Sequence, residues 1–147
     1  MEYKFRDFEE SDYEFVYNIK KRAYKSYVEM FFGAWNEEDQ KRRFEKYFNE
    51  RKYDLKIIES NNTDIGFFDA EKLSENKFEI NNICLIKEFQ GKGIGTNILI
   101  DFIKMHSDCE IFIQCFIGNP VLNLYKRLGF KEYERTKLHI KLKLISK

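Results

Sequence analysis

The chain has 147 residues and 17.9 kDa, enough for one domain, 1–147, with a real apolar core and too little to expect a second. Lys and Arg number 26 against 25 Asp and Glu, so no general field captures nucleic acid or anionic lipid; any polyanion must be met locally. Three cysteines (Cys84, Cys109, Cys115) form an odd set without metal-type spacing, His106 and His139 stand apart, the opening MEYKFRDFEE is charged, and no apolar run nears the ~18 residues of a membrane span. The expectation is a reduced, cytoplasmic protein without metal, nucleic-acid partner or membrane anchor.

YKFRDF alternates aromatic and charged residues, as a strand with one buried face does. SDYE then opens a helix, with Ser11 as N-cap, Glu14 completing a capping box, and Val16, Ile19, Ala23 and Tyr27 at helical spacing. Gly33 interrupts it within MFFGAW. Asn36, followed by Glu37, Glu38 and Asp39, caps a second helix whose apolar stripe is Phe44, Tyr47 and Phe48. YDLKIIES, DIGFFDAEK and KFEINNICLI read as strands, the first two joined by a turn at Asn61 and Asn62. After a glycine turn, Ile94, Ile98, Leu99, Phe102 and Ile103 mark a helix, and EIFIQCFI is a strand apolar enough to be buried on both faces. Asn119, Pro120 and Gly129 bracket the short helix PVLNLYKRL. FKEY and KLHIKLKL close the chain, Leu138, Ile140, Leu142 and Leu144 on one face and His139, Lys141 and Lys143 on the other. This order predicts an α/β sandwich in which helices cover a mixed, mostly antiparallel sheet of six or seven strands.

The glycine turn, FQGKGIGTNIL, carries Gly91, Gly93 and Gly95 between a dense apolar strand and a helix. Small residues there let successive amides aim at an anion at the positive end of a helix, and a diphosphate is the usual guest. The alternative is a turn of glycines needed for tight packing alone. Gly93 follows Lys92 where a P-loop would place Ser or Thr, and no G-x-G-x-x-G follows the first strand, so neither an NTPase nor a dinucleotide fold is expected.

LIKEFQGKGIGTNIL resembles the Q/R-x-x-G-x-G/A signature of the GNAT superfamily of N-acetyltransferases, matched by Gln90, Gly91, Lys92, Gly93, Ile94 and Gly95. GNPVLNLYKRLGF resembles that family's later N-x-x-A-x-x-L-Y-x-x-x-G-F segment, with Asn119, Leu124, Tyr125, Gly129 and Phe130 in register and Leu122 where a small residue is common. The resemblance implies a GNAT-like acyl-CoA N-acyltransferase fold and transfer of acetyl from acetyl-CoA to a primary amine in a ternary complex. It places the diphosphate on the amides from Gln90 to Thr96, pantetheine on the backbone of Ile83 and Leu85, and the amides of Asn119 and Asn123 near the cofactor. Tyr125 stands beside the sulfur, where its phenol would protonate the departing thiolate. With references of about 10 for a phenol and about 8.5 for a thiol, full transfer is uphill by roughly 2 kcal/mol. The other reading of Tyr125 is packing, since Val121, Tyr125 and Leu128 form a stripe.

Glu79 is the candidate base, because alternation along FEINNICL puts it with Asn81 on the face of Ile83 and Leu85; a cross-strand ion pair is its other reading, and Asn81 or Asn82 could hold a water instead. The resemblance draws the acceptor pocket from the first half: Tyr27, Phe31, Phe32 and Trp35 as an aromatic wall, Arg42 or Arg43 for an acceptor carboxylate, and Asn81 beside it. Core packing and a solvated face compete for the same residues. Family habit adds a homodimer made by edge pairing of the last strand. The acceptor stays open among a small molecule, an amino acid and a peptide, and a non-catalytic acyl-CoA-binding sensor or scaffold is the alternative function.

Overall fold

In the computed structural model, which describes residues 2–145, the elements follow as β1 (Lys4–Asp7), α1 (Tyr13–Phe32), α2 (Glu37–Arg51), β2 (Lys56–Ser60), β3 (Thr63–Ser74), β4 (Lys77–Leu85), α3 (Ile94–Met105), β5 (Glu110–Phe116), α4 (Val121–Arg127), β6 (Lys131–Arg135) and β7 (His139–Ile145). Single 3-10 turns stand at Glu10–Asp12 and Lys87–Phe89. The strands form a seven-stranded sheet in the order β1-β2-β3-β4-β5-β7-β6. It is mixed, because β4 and β5 are parallel while β1–β2, β2–β3, β5–β7 and β6–β7 are antiparallel. The parallel ladder covers Lys77–Ile80 against Glu110–Ile113, and β4 continues to Leu85.

The chain falls into two compact units that share β3 and β4: the described residues through Asp69 with Asn82–Lys92, and Ala70–Asn81 with the described residues from Gly93 on. In the first, Arg6 decides where α1 begins. Its guanidinium donates to both oxygens of Asp12 at 2.8 Å and to Asp64 at 2.8 Å, and Asp12 in turn accepts the Glu9 N–H at 2.9 Å. The helix start is therefore held by Glu9 and Asp12, two residues before the Ser11–Glu14 box that the sequence suggests. Asp12 wins because Arg6, itself held by the distant Asp64, pins it, and the Arg6 hydrogen bonds hold its carboxyl below the usual range. Further along, Gly33 ends α1 at φ +95° and the Asn36 side chain accepts the Asp39 N–H at 3.0 Å to start α2. Val16, Tyr17, Ile19, Phe44 and Phe48 form the core with Leu55, Ile57 and Phe67. Asn61 and Asn62, both at positive φ, turn β2 into β3.

The second unit buries Ile94, Ile98 and Leu99 of α3, Ile111 and Ile113 of β5, and Ile140 and Leu142 of β7. Its β5 is not enclosed on both faces as its composition suggests. Ile111, Ile113 and Cys115 are buried, whereas Gln114 is exposed and Phe112 is half-buried, edge-on to Tyr133 of β6. The last strand is also not an edge. β7 pairs with β5 on one side and β6 on the other, so edge pairing of β7 with a second subunit is not open to it.

Candidate functional site

β4 reaches Leu85, a 3-10 turn carries the chain to Gln90, and α3 starts at Ile94 with Gly93 as its N-cap. Gly91 and Gly93 sit at φ +73° and +85°, in the left-handed region. A Cβ at either would meet nothing within 4 Å, so protein packing is not what requires glycine at these two positions. Gly93 offers no capping side chain, and the Asn97 N–H bonding the Gly93 carbonyl at 2.9 Å is the helix's opening bond. The amides of Ile94, Gly95 and Thr96 thus belong to an uncapped first turn at the positive end of α3. Gln90 turns its side-chain amide back to donate to the Leu85 carbonyl at 2.9 Å, tying the turn to the end of β4. Lys92 places its ammonium 5.8 Å from the Phe89 ring.

On β4 the alternation is regular: Ile80, Asn82 and Cys84 are buried, whereas Glu79, Asn81, Ile83 and Leu85 share the other, half-buried face. Glu79 lies opposite Phe112 in the parallel ladder, and its charge helps raise the Tyr133 phenol, after burial and Glu134. Asn81 donates to Glu71 at 3.1 Å. On α4, Tyr125 is buried, Asn123 is exposed, and the Asn119 side chain accepts the Val121 N–H at 3.0 Å as a helix cap.

The aromatic residues expected to wall an acceptor do not share one environment. Tyr27 and Phe31 are half-buried near the end of α1, whereas Phe32 is 64% exposed. Trp35 packs on the core and donates its indole N–H to Glu37 at 2.7 Å, and Arg42 is exposed and paired with Asp39 on its own helix. Glu37 also accepts from Lys21 at 2.8 Å and Tyr17 at 3.0 Å. These donors, Lys21 first, hold its carboxyl down at about 2. A depressed carboxylate stabilises the fold above its unfolded pKa of about 4.3 and loses that contribution as pH falls through the folded value. Since Trp35 is the chain's single tryptophan, its emission should stay constant down through about pH 4 and shift with a midpoint near 2. Glu37→Gln should abolish that step; a wild-type midpoint near about pH 4 would contradict the cluster.

Residues 20–130, including the glycine turn and α4, match the Acetyltransferase (GNAT) family. The chain belongs to the GNAT acetyltransferase family. An N-alpha-acetyltransferase of Sulfurisphaera tokodaii is 31% identical over 74 residues, 46% of this chain and 44% of that protein, so the match spans less than half of that relative. Among solved structures, the PaiA N-acetyltransferase of Thermoplasma acidophilum, in complex with coenzyme A, is 18% identical over 99% of both chains with a TM-score of 0.72. The ribosomal-protein-S18-alanine N-acetyltransferase of Escherichia coli is 18% identical over 99% of this chain and 96% of that one, with a TM-score of 0.66. At that identity the structures establish a shared fold.

Two features of this GNAT chain escape the sequence reading. Gly66 on β3 has an ordinary φ, yet a Cβ there would overlap the Cys84 carbonyl oxygen and come within 2.9 Å of a Leu85 side-chain carbon and 3.0 Å of its Cα. Close approach of β3 to β4 needs glycine at that point. The second is a polar cluster of the half-buried Tyr24 and Tyr47 with the buried Asp69 and Asn82. Its signal is the second helical stripe Val16, Lys20, Tyr24, which runs beside Val16 and Ile19 where Ala23 is expected to continue them. Ala23 is exposed, and Lys20 and Tyr24 turn inward instead.

Proposed function

We propose that this protein is an acetyl-CoA-dependent N-acetyltransferase that moves an acetyl group to a primary amine by direct attack in a ternary complex. The observation that carries this is the Gly91–Gly93 turn, left-handed at both glycines, open where Cβ atoms would stand, leading into an uncapped helix, and lying within the segment that matches the family. Backbone amides from Gln90 to Thr96 would take the diphosphate, aided by the α3 dipole. The backbone of Ile83 and Leu85 would pair with pantetheine as an added strand. Since the Leu85 carbonyl already accepts from Gln90, the Leu85 N–H is the group left to that role.

In the reaction, the acceptor nitrogen attacks the thioester carbonyl carbon. The carbonyl π electrons move to oxygen, the C–S bond then breaks, and the sulfur leaves as CoA thiolate. Two proton movements accompany this. Glu79, or a water it or Asn81 orders, takes the proton lost by the amine; Tyr125 donates to the sulfur, with Asn119 and Asn123 holding the cofactor arm. Tyr27, Phe31, Phe32, Trp35 and Arg42 supply the acceptor side, within a single catalytic domain. Among acceptors, an α-amine is the class that the Sulfurisphaera relative's description supports, which leaves both a free amino acid and an unblocked peptide N-terminus.

The test is release of free CoA thiol from acetyl-CoA over a short alkyl diamine, a free amino acid and a peptide with an unblocked N-terminus. Tyr125→Phe should lower kcat about 100-fold while calorimetric affinity for acetyl-CoA holds. Binding without turnover on any amine would favour the sensor or scaffold reading, and no binding would end both.

A further inference from the structure

The first unit hides an extended polar chain on the side of β4 that faces away from Asn81, Ile83 and Leu85. Tyr24 of α1 donates its hydroxyl to the Asn82 side-chain oxygen at 2.9 Å. The Asn82 side-chain amide donates to the Tyr47 hydroxyl of α2 at 3.0 Å, and Tyr47 donates to Asp69 of β3 at 2.7 Å. Arg51, one turn further along α2, closes the chain on Asp69 at 2.8 Å. Asp69 is fully buried and the Arg51 side chain is 12% exposed. Burial and the Asp69 charge push the Tyr47 phenol well up, keeping it a neutral donor. Lys20 lays its ammonium 4.0 Å from the Tyr47 ring centroid.

A buried ion pair with a buried Asn and two half-buried tyrosines is not the most stabilising way to fill that space. Apolar side chains of similar volume would commonly do as well or better. What such a chain adds is direction: each bond fixes one partner's orientation, and Asn82 of β4 is tied directly to Tyr24 of α1 and Tyr47 of α2, and through Tyr47 to Asp69 of β3. We propose that Asn82 is a positioning residue. It fixes the segment Asn82–Leu85 of β4 against α1 and α2, and so sets the distance between the strand that lays out the acyl donor and the helices that wall the acceptor.

This rests on the N-acetyltransferase reading above. Its consequence follows from geometry: an attacking nitrogen must be held about 3–3.5 Å from the thioester carbon, and a misplacement of about 1 Å can cost about 100-fold in rate. The groups that grip each ligand are not themselves in the polar chain. Releasing Asn82 should therefore leave each ligand's binding in place while spoiling their mutual alignment.

The experiment compares Asn82→Ala, Tyr24→Phe and the double variant with wild type, at a temperature where circular dichroism shows each folded. The acceptor is whichever of the diamine, amino acid or unblocked peptide wild type turns over fastest. Expected for Asn82→Ala is a fall in kcat of about tenfold or more with the calorimetric Kd for acetyl-CoA unchanged within about twofold. Tyr24→Phe should fall in the same direction, and the double variant should be no worse than Asn82→Ala alone, because both changes break one chain. An unchanged kcat, additive losses, or a kcat loss matched by lost acetyl-CoA affinity would overturn the proposal. Should Asn82→Ala fail to fold, Tyr24→Phe, which removes one hydroxyl, decides by the same criteria. Failure of the functional reading is visible beforehand, as wild type that neither binds acetyl-CoA nor releases thiol.

Discussion

Gly66→Ala is expected to destabilise the protein by about 3 kcal/mol. The added methyl would overlap the Cys84 carbonyl oxygen and crowd the Cα of Leu85 at 3.0 Å. Both obstacles are backbone and cannot rotate aside, so β3 and β4 must separate where the Ile86 N–H bonds the Ile65 carbonyl at 2.8 Å. Gly33→Ala is the matched control. It carries the opposite problem, a positive φ of +95° with ψ at −68°, outside the left-handed helical well, and nothing within 4 Å of the added carbon, and should cost about 2 kcal/mol. Urea unfolding at constant m-value reads both. If Gly33→Ala proves the more damaging, the close approach of the two strands is wrong. Because Leu85 is the proposed last pairing point for pantetheine, any Gly66→Ala protein that survives should also bind acetyl-CoA less tightly than Gly33→Ala does.

The same pair of glycines shows what was legible in the sequence. Gly33, Asn36, Asn61–Asn62 and Gly129 act through their own backbone and near neighbours, so each marks its turn or cap whatever the rest of the chain does. Gly66 matters through β4, about twenty residues on, and nothing within DIGFFDAEK announces that. Distance in sequence explains the other departures as well. Asp12 displaces Ser11 at the helix start because Arg6 binds it and Asp64 together. β7 looked like a free edge because the last strand in the chain need not be the last in the sheet. Lys20 goes unassigned, and Asn82 reads as a possible water holder, for a chemical reason: polar side chains are expected outward, yet here they meet partners that make burial tolerable. The alternation of β4 itself was readable. It separates Glu79, Asn81, Ile83 and Leu85 from Ile80, Asn82 and Cys84, and so puts the proposed chemistry and its proposed support on opposite faces of one strand.

Gly93→Ala should weaken acetyl-CoA binding about 30-fold, equivalent to about 2 kcal/mol. Strain alone does not produce that loss, because a left-handed alanine burdens the free and the bound protein alike and so appears mainly as lower stability. The affinity changes only through what differs on binding. The methyl would stand in the space now open beside the α3 start, where the proposal has the phosphates approach the amides of Ile94, Gly95 and Thr96. Relief of the strain would also swing those amides off a common target, and a hydrogen bond to a charged oxygen is worth about 1.5–3 kcal/mol. Lys92→Ala separates this backbone grip from simple charge attraction. Its ammonium sits beside Phe89, so its removal should cost about fivefold at most, on the order of the 0.2–1 kcal/mol of an exposed ion pair. Calorimetry with acetyl-CoA and with desulfo-CoA reads both variants, and the two ligands should lose affinity in parallel because they share the diphosphate. If Lys92→Ala proves the more harmful, a side-chain cation holds the phosphates and the glycines serve only the turn.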